Sequence, residues 1–189
     1  MIAIVDYKAG NLTSVKYAFE ALGEETLVTG NPEEIAQASK VVFPGVGAAK
    51  SAMENLRNLD LLEIVKSAAL EKPFLGICLG MQILFEATEE DGGVETLGII
   101  PGRVRRFPDS KEHKVPSIGW NRVEPMGEYF YFVHSYWGEI TPYTIGRSTH
   151  GDVEFTSCVK RGKMLACQFH PEKSGRAGLE FLKSWLEIC

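Results

Sequence analysis

One cysteine sits where its chemistry is open to use. Phe74-Leu75-Gly76-Ile77-Cys78-Leu79-Gly80-Met81-Gln82 reads as a buried apolar strand, a very tight turn at Cys78, and a helix running on through Ile83, Leu84 and Phe85. Glycines two residues either side let strand and helix approach closely. The serine version of this spacing, G-x-S-x-G, is the nucleophile elbow, which exposes a reactive atom on a strained turn. A thiol there lies beside the first free amides of a helix, where the dipole favours a thiolate. The same residues also describe a cysteine packed in a core.

A nucleophile needs a base, a group that orients the base, and donors for the developing oxyanion. Gln168-Phe169-His170-Pro171-Glu172 offers the first two. In extended chain His170 and Glu172 project to one face, so the carboxylate can hold the imidazole tautomer while the other ring nitrogen faces the thiol. Pro171 between them suits a strand end or edge. A surface histidine and glutamate at a turn is the alternative. His113 and His150 read as exposed loop residues, and His134 ends an aromatic strand as a pocket or core histidine. His170, with its carboxylate at strand spacing, is the best base candidate. The amide of Leu79 is one candidate oxyanion donor. The second comes from Pro44-Gly45-Val46-Gly47, at Val46, the only earlier loop with enough backbone freedom. That loop lacks both G-x-G-x-x-G and a Walker lysine, so it gives little support to nucleotide binding.

The elements that must position these groups are legible in order. Ile2–Val5, Glu25–Val28, Val41–Phe43 and Phe74–Cys78 read as short apolar strands. Helices are predicted through Leu12–Leu22, Pro32–Ala38, Ser51–Arg57 and Leu61–Leu70. Continuous apolar strands alternating with helices fit a parallel sheet covered on both faces. The Gly45–Gly47 loop and Cys78 then follow strands at the same edge, where α/β sheets bind ligands. Beyond Glu89-Glu90-Asp91-Gly92-Gly93, read as a loop, the texture changes. Short extended pieces are predicted around Arg103–Phe107, Val115–Val123, Tyr129–Val133, Val153–Val159 and Leu165–His170. Turns such as Pro108-Asp109-Ser110 separate several of them. A final helix carries Leu179, Phe181, Leu182 and Trp185, with Ser174 as its N-cap. The fold class expected is three-layer α/β/α, with a mostly parallel central sheet and antiparallel strands from the C-terminal half. Residues 1–189 are expected to form a single domain.

The 189 residues, 44% hydrophobic and 24% charged with net charge −5, suit a soluble globular protein. They argue against nucleic acid or an anionic membrane as main partner. The N-terminus reads as a first strand with no basic leader, and no apolar run is long enough to span a membrane, so a cytoplasmic location is expected. Cys78, Cys158, Cys167 and Cys189 show no metal-ligand spacing and are expected as reduced thiols, with no metal and no cofactor.

Three separated motifs, the Pro44–Gly47 loop, the Cys78 elbow and Gln168–Glu172, occur in the order found in class I glutamine amidotransferases, which the chain resembles over essentially its whole length. Asp6-Tyr7 with Gly10-Asn11-Leu12, Gly119-Trp120-Asn121, Phe132-Val133-His134-Ser135-Tyr136 and Lys173-Ser174 resemble one branch, the glutaminase subunits of imidazole glycerol phosphate synthases. The resemblance implies that Cys78 attacks the side-chain amide of glutamine, and that His170 and Glu172 complete a triad. It implies glutamine-binding positions at Gly45, Gly47, Gln82, Glu90, His134, Ser135 and Tyr136. It also implies a heterodimer with a (β/α)8-barrel cyclase that receives ammonia, contacted near Asn11, Trp120, Tyr131 and Lys173. Ser117 departs from the histidine usual before Gly-Trp-Asn. A glutaminase of anthranilate or pyridoxal phosphate synthesis, a cysteine peptidase, and a catalytically silent subunit of the same fold are the other readings.

Overall fold

A computed structural model describes residues 1–109 and 113–188. Ser110 of the expected Pro108–Ser110 turn and Cys189 lie outside the described residues. The strands are β1 (Ile2–Val5), β2 (Thr26–Thr29), β3 (Lys40–Gly45), β4 (Phe74–Cys78), β5 (Ala87–Thr88), β6 (Val94–Glu95) and β7 (Arg103–Arg106). They continue as β8 (Ser117–Val123), β9 (Glu128–His134), β10 (Tyr136–Gly138), β11 (Thr144–His150), β12 (Val153–Arg161) and β13 (Met164–Cys167). The helices are α1 (Leu12–Ala21), α2 (Pro32–Gln37), α3 (Ala49–Asn58), α4 (Leu62–Glu71), α5 (Leu79–Gln82) and α6 (Gly175–Leu186).

The main sheet runs β2-β1-β3-β4-β13-β12-β10-β7-β5-β6, with β11 paired to β12. β2, β1, β3, β4 and β13 are mutually parallel, and β12 turns the sheet antiparallel. Every residue of β1 and β4 is buried, as their unbroken apolar sequences require of strands covered on both sides. One face packs Ile35 of α2, Met53 and Leu56 of α3, and Val65 of α4. The other packs Phe19 of α1 and Phe181, Leu182 and Trp185 of α6. The expected α/β/α layering holds, with one addition. β8 and β9 form a separate hairpin that lays Phe130 and Phe132 onto the second face.

Four local expectations need correction. The helix after Cys78 is one turn, not a longer run through Phe85. Beyond Gln82 the carbonyls of Ile83, Leu84 and Phe85 accept amides from Leu97 to Ile100, so they are lost to helical bonding. β13 stops at Cys167, and Pro171–Lys173 is a 3-10 turn, where proline's fixed φ fits the first position. His170 and Glu172 are therefore not held on an extended strand. His150 ends β11 and is half-buried against Phe107, ring centroids 4.8 Å apart, so it is not a loop residue. Ser174 precedes α6 without a side-chain cap. Its hydroxyl donates to the His170 carbonyl at 2.6 Å and accepts the Tyr131 amide at 2.9 Å instead.

Candidate active site

β3 and β4 lie side by side in parallel, with Gly45 opposite Cys78. Both strand ends therefore deliver their loops to one edge of the sheet. Cys78 takes φ 54° and ψ −108°, a backbone state that costs a non-glycine residue on the order of 1–3 kcal/mol. Close packing imposes it. A methyl group on Gly76 would lie 2.7 Å from the Gly80 carbonyl oxygen. The strand therefore reverses into α5 with glycine on both sides, and Cys78 is left 6% exposed at the turn.

β13 is the next parallel neighbour of β4, and the chain leaving it carries His170 towards the thiol. His170 Nδ1 and Glu172 Oε1 are 2.8 Å apart, both side chains almost fully buried. The carboxylate oxygen accepts, so Nδ1 carries the hydrogen and Nε2 is left for the thiol. Among the described residues Nε2 meets no aligned hydrogen bond, yet Cys78 still acts on the ring. Burial disfavours the charged imidazole, but Cys78 and Glu172 outweigh it and raise His170 above its ordinary value of 6.5. The contact predicted for an extended strand is thus made across a tight turn.

A pocket of about 310 Å³ opens above Cys78. Val46, Gly47, Leu79, Gln82, Glu90, His134, Ser135 and Tyr136 line it with Pro116 and Val133. Gly45 is buried beneath it, where a methyl group would meet both the Leu79 Cβ and the Tyr7 hydroxyl at 2.8 Å. Glu90 Oε2 accepts the amide of Ala49, first residue of α3, at 2.6 Å. Burial raises the Glu90 carboxyl, the Ala49 bond opposes this, and Asp91 adds to it. His134 Nδ1 donates to the Tyr136 carbonyl at 2.7 Å, which leaves Nε2 a buried lone pair without a partner among the described residues. Burial pulls His134 down to about 4, so the ring is neutral near pH 7. Ser117, the departure from the resembled pattern, is buried directly across from His134 in the hairpin register.

The four expected interface positions lie around the same turn or its neighbours. Trp120 is 58% exposed and meets Tyr131 edge-on at 6.2 Å. The Tyr131 carbonyl accepts the His170 amide at 2.9 Å, tying the hairpin to the turn that carries exposed Lys173. Asn11 precedes α1, which packs on that turn, and it accepts the Ser14 hydroxyl at 3.0 Å.

Sequence reasoning gave no role to Gln168. It is fully buried, with Nε2 3.5 Å from Cys78 Sγ and Oε1 2.9 Å from Gln82 Nε2. Its one signal was its place two residues before His170. Cys158 and Cys167, opposite each other on β12 and β13, are buried free thiols, as is Cys78.

A strand-turn-helix cysteine, a buried histidine-carboxylate pair and a glycine loop at one sheet edge are the parts that thiol-dependent acyl transfer requires. The model of the class I glutamine amidotransferase family matches residues 3–188, and the chain belongs to that family. Among curated relatives it is 45% identical to an imidazole glycerol phosphate synthase subunit HisH of Exiguobacterium sibiricum, over 99% of this chain and 95% of that one. It is also 45% identical to the subunit of the same name from Methanothermobacter thermautotrophicus, over 100% and 98%. Among solved structures, a glutamine amidotransferase superposes with TM-score 0.77 at 21% identity, covering 100% of this chain and 98% of that one. PurLQS from Thermotoga maritima follows at TM-score 0.68 and 18% identity, covering 98% and 96%. At those identities the two structures speak for the fold. Among the described residues no helix is long and apolar enough to cross a membrane.

Proposed function

We propose that residues 1–189 act as one glutaminase domain, the ammonia-releasing subunit of an imidazole glycerol phosphate synthase in the cytoplasm. The observation that carries this reading is the buried Glu172–His170 pair behind Cys78, at the floor of a pocket sized for an amino acid. Relatives 45% identical over nearly the whole chain carry that synthase's name.

Cys78 attacks the side-chain amide carbon of glutamine, and the electron pair displaced onto the oxygen is held by the amides of Leu79 and Val46. His170 passes a proton to the leaving nitrogen, and ammonia departs. Glu172 keeps the ring in the tautomer that can do so. His170 then takes a proton from water, which attacks the thioester. The thiolate leaves, and glutamate forms. Glu90 offers charge for the α-ammonium of glutamine, and the Gly47, Gln82, His134, Ser135 and Tyr136 walls complete the pocket with Gly45 beneath. Ammonia passes to a (β/α)8-barrel cyclase docked on the Trp120–Tyr131 side, near Asn11 and Lys173. The chain uses no cofactor or metal.

The test is glutamate release by the purified chain, with and without a barrel cyclase and its nucleotide substrate. Turnover that rises with both present is expected. In the Cys78→Ala variant glutamate release is lost, while synthesis from added ammonia continues. Loss of both activities would overturn the division of labour.

A further inference from the structure

The proposed reaction leaves one buried polar side chain at the nucleophile without a task. Gln168 follows directly on β13, fully buried, and its amide nitrogen faces Cys78 Sγ at 3.5 Å. Which end of an amide faces a neighbour is decided by what the other end bonds. Here a backbone carbonyl decides it. The Tyr136 oxygen can only accept, and Gln82 Nε2 lies 2.9 Å from it. That same nitrogen is 2.9 Å from Gln168 Oε1. With the Gln82 NH₂ committed to two acceptors, Gln168 turns its oxygen to Gln82 and its own NH₂ to sulfur.

We propose that Gln168 is a further catalytic residue, donating a hydrogen bond to the Cys78 thiolate alongside His170. Its role in turnover rests on the glutaminase reading; its contact with the thiolate does not. The anion needs such help because α5 is a single turn, with few aligned amides behind it, and because Cys78 is mostly buried. A neutral amide also stays in place while His170 gives and takes protons. Its bond is strongest when sulfur carries charge, before attack and again on expulsion from the thioester, and weak while sulfur is acylated.

The full-length chain and two variants test this. Gln168→Met keeps much of the volume and removes the donor. Gln168→Glu keeps an oxygen for Gln82 and sets a carboxyl against the sulfur. Alkylation of Cys78 by iodoacetamide is followed across roughly pH 5–10, with peptide mass spectrometry separating Cys78 from Cys158, Cys167 and Cys189. The other titratable groups acting on Cys78 are His170 with its partner Glu172, Tyr7 beyond β1, and Cys167 on β13. None is changed in either variant. For Gln168→Met the alkylation midpoint moves to higher pH, and reaction below it slows about tenfold, the scale of one hydrogen bond to a charge. Gln168→Glu moves it further. In glutamine hydrolysis kcat falls while KM holds. A midpoint left in place by folded Gln168→Met or Gln168→Glu, judged by an unchanged thermal transition, overturns the proposal. A shifted midpoint in a chain that never hydrolyses glutamine keeps the contact and removes the proposed function.

Discussion

Gly80 presses so closely on β3 that a methyl group at its Cα would lie 2.0 Å from the Phe43 carbonyl oxygen. The elbow and the glycine-loop strand are therefore packed backbone to backbone. In Gly80→Ala one of them has to move, at an overpacking cost of about 1–3 kcal/mol or more. Thermal unfolding and glutaminase assays should show both a lower transition and near-complete loss of turnover. A stable, fully active Gly80→Ala chain would show that the elbow tolerates displacement.

Glu172 and His170 form a pair with almost no access to water. In Glu172→Gln the charge that favours an imidazolium is gone, while the geometry of the turn remains. General acid-base assistance is worth roughly 10²–10⁴ in rate, so kcat should fall by at least a hundredfold. Steady-state glutamate release on folded variant protein reads this directly, and a loss smaller than tenfold would argue against the triad assignment.

His134 carries a pH dependence with a definite sign. Its ring is held at about 4 in the folded protein against 6.5 for the free group. As pH falls from about 6.5 to 4 the unfolded chain takes up this proton first, so stability declines across that window. The full loss is about 3 kcal/mol, and it stops growing below the folded value. His170 has the opposite shift. Its contribution is complete below 6.5 and fades only as pH rises towards its folded value, outside this window. Denaturant midpoints of the native chain and His134→Asn, compared over pH 4–7, should therefore converge towards acid. Parallel curves would refute the buried neutral ring.

Ser174 bridges the His170–Glu172 turn and the hairpin through two hydrogen bonds. Ser174→Ala leaves the Tyr131 amide without that acceptor, a penalty of roughly 1–3 kcal/mol. Equilibrium unfolding should lose about that much. Replacement by Thr, which restores an oxygen, should recover part of it; no loss in Ser174→Ala would mean that another group fills the gap.

The first half of the fold was legible because β1, β3 and β4 are unbroken apolar runs and α1 to α4 show helical periodicity. The elbow was legible from glycine spacing alone. The second half was harder for a physical reason. β11 buries Gly146 and Ser148, small residues that leave no hydrophobic alternation to read, and irregular register against β12 blurs it further. β10 is only three residues, its Gly138 pressed on the Phe85 ring. No local pattern could show that β8 and β9 leave the main sheet, since that depends on what they pack against. At the candidate site, the expected extended backbone is replaced by a turn. His170 and Glu172 meet across a 3-10 turn, and Gln168 owes its orientation to Tyr136, a residue far away in the chain.

The parallel pairing of β4 with β13 has a consequence for the order in which this chain comes to life. The thiol and its base reach the same level only when a strand near the C-terminal end docks on one laid down some ninety residues earlier. Such a long-range contact carries a loop-closure cost that must be met before the pairing stabilises the fold. A chain cut at residue 163 lacks β13, and with it the parallel neighbour of β4 that leads to His170. The candidate thiol and base are therefore brought together only once β13 has paired with β4.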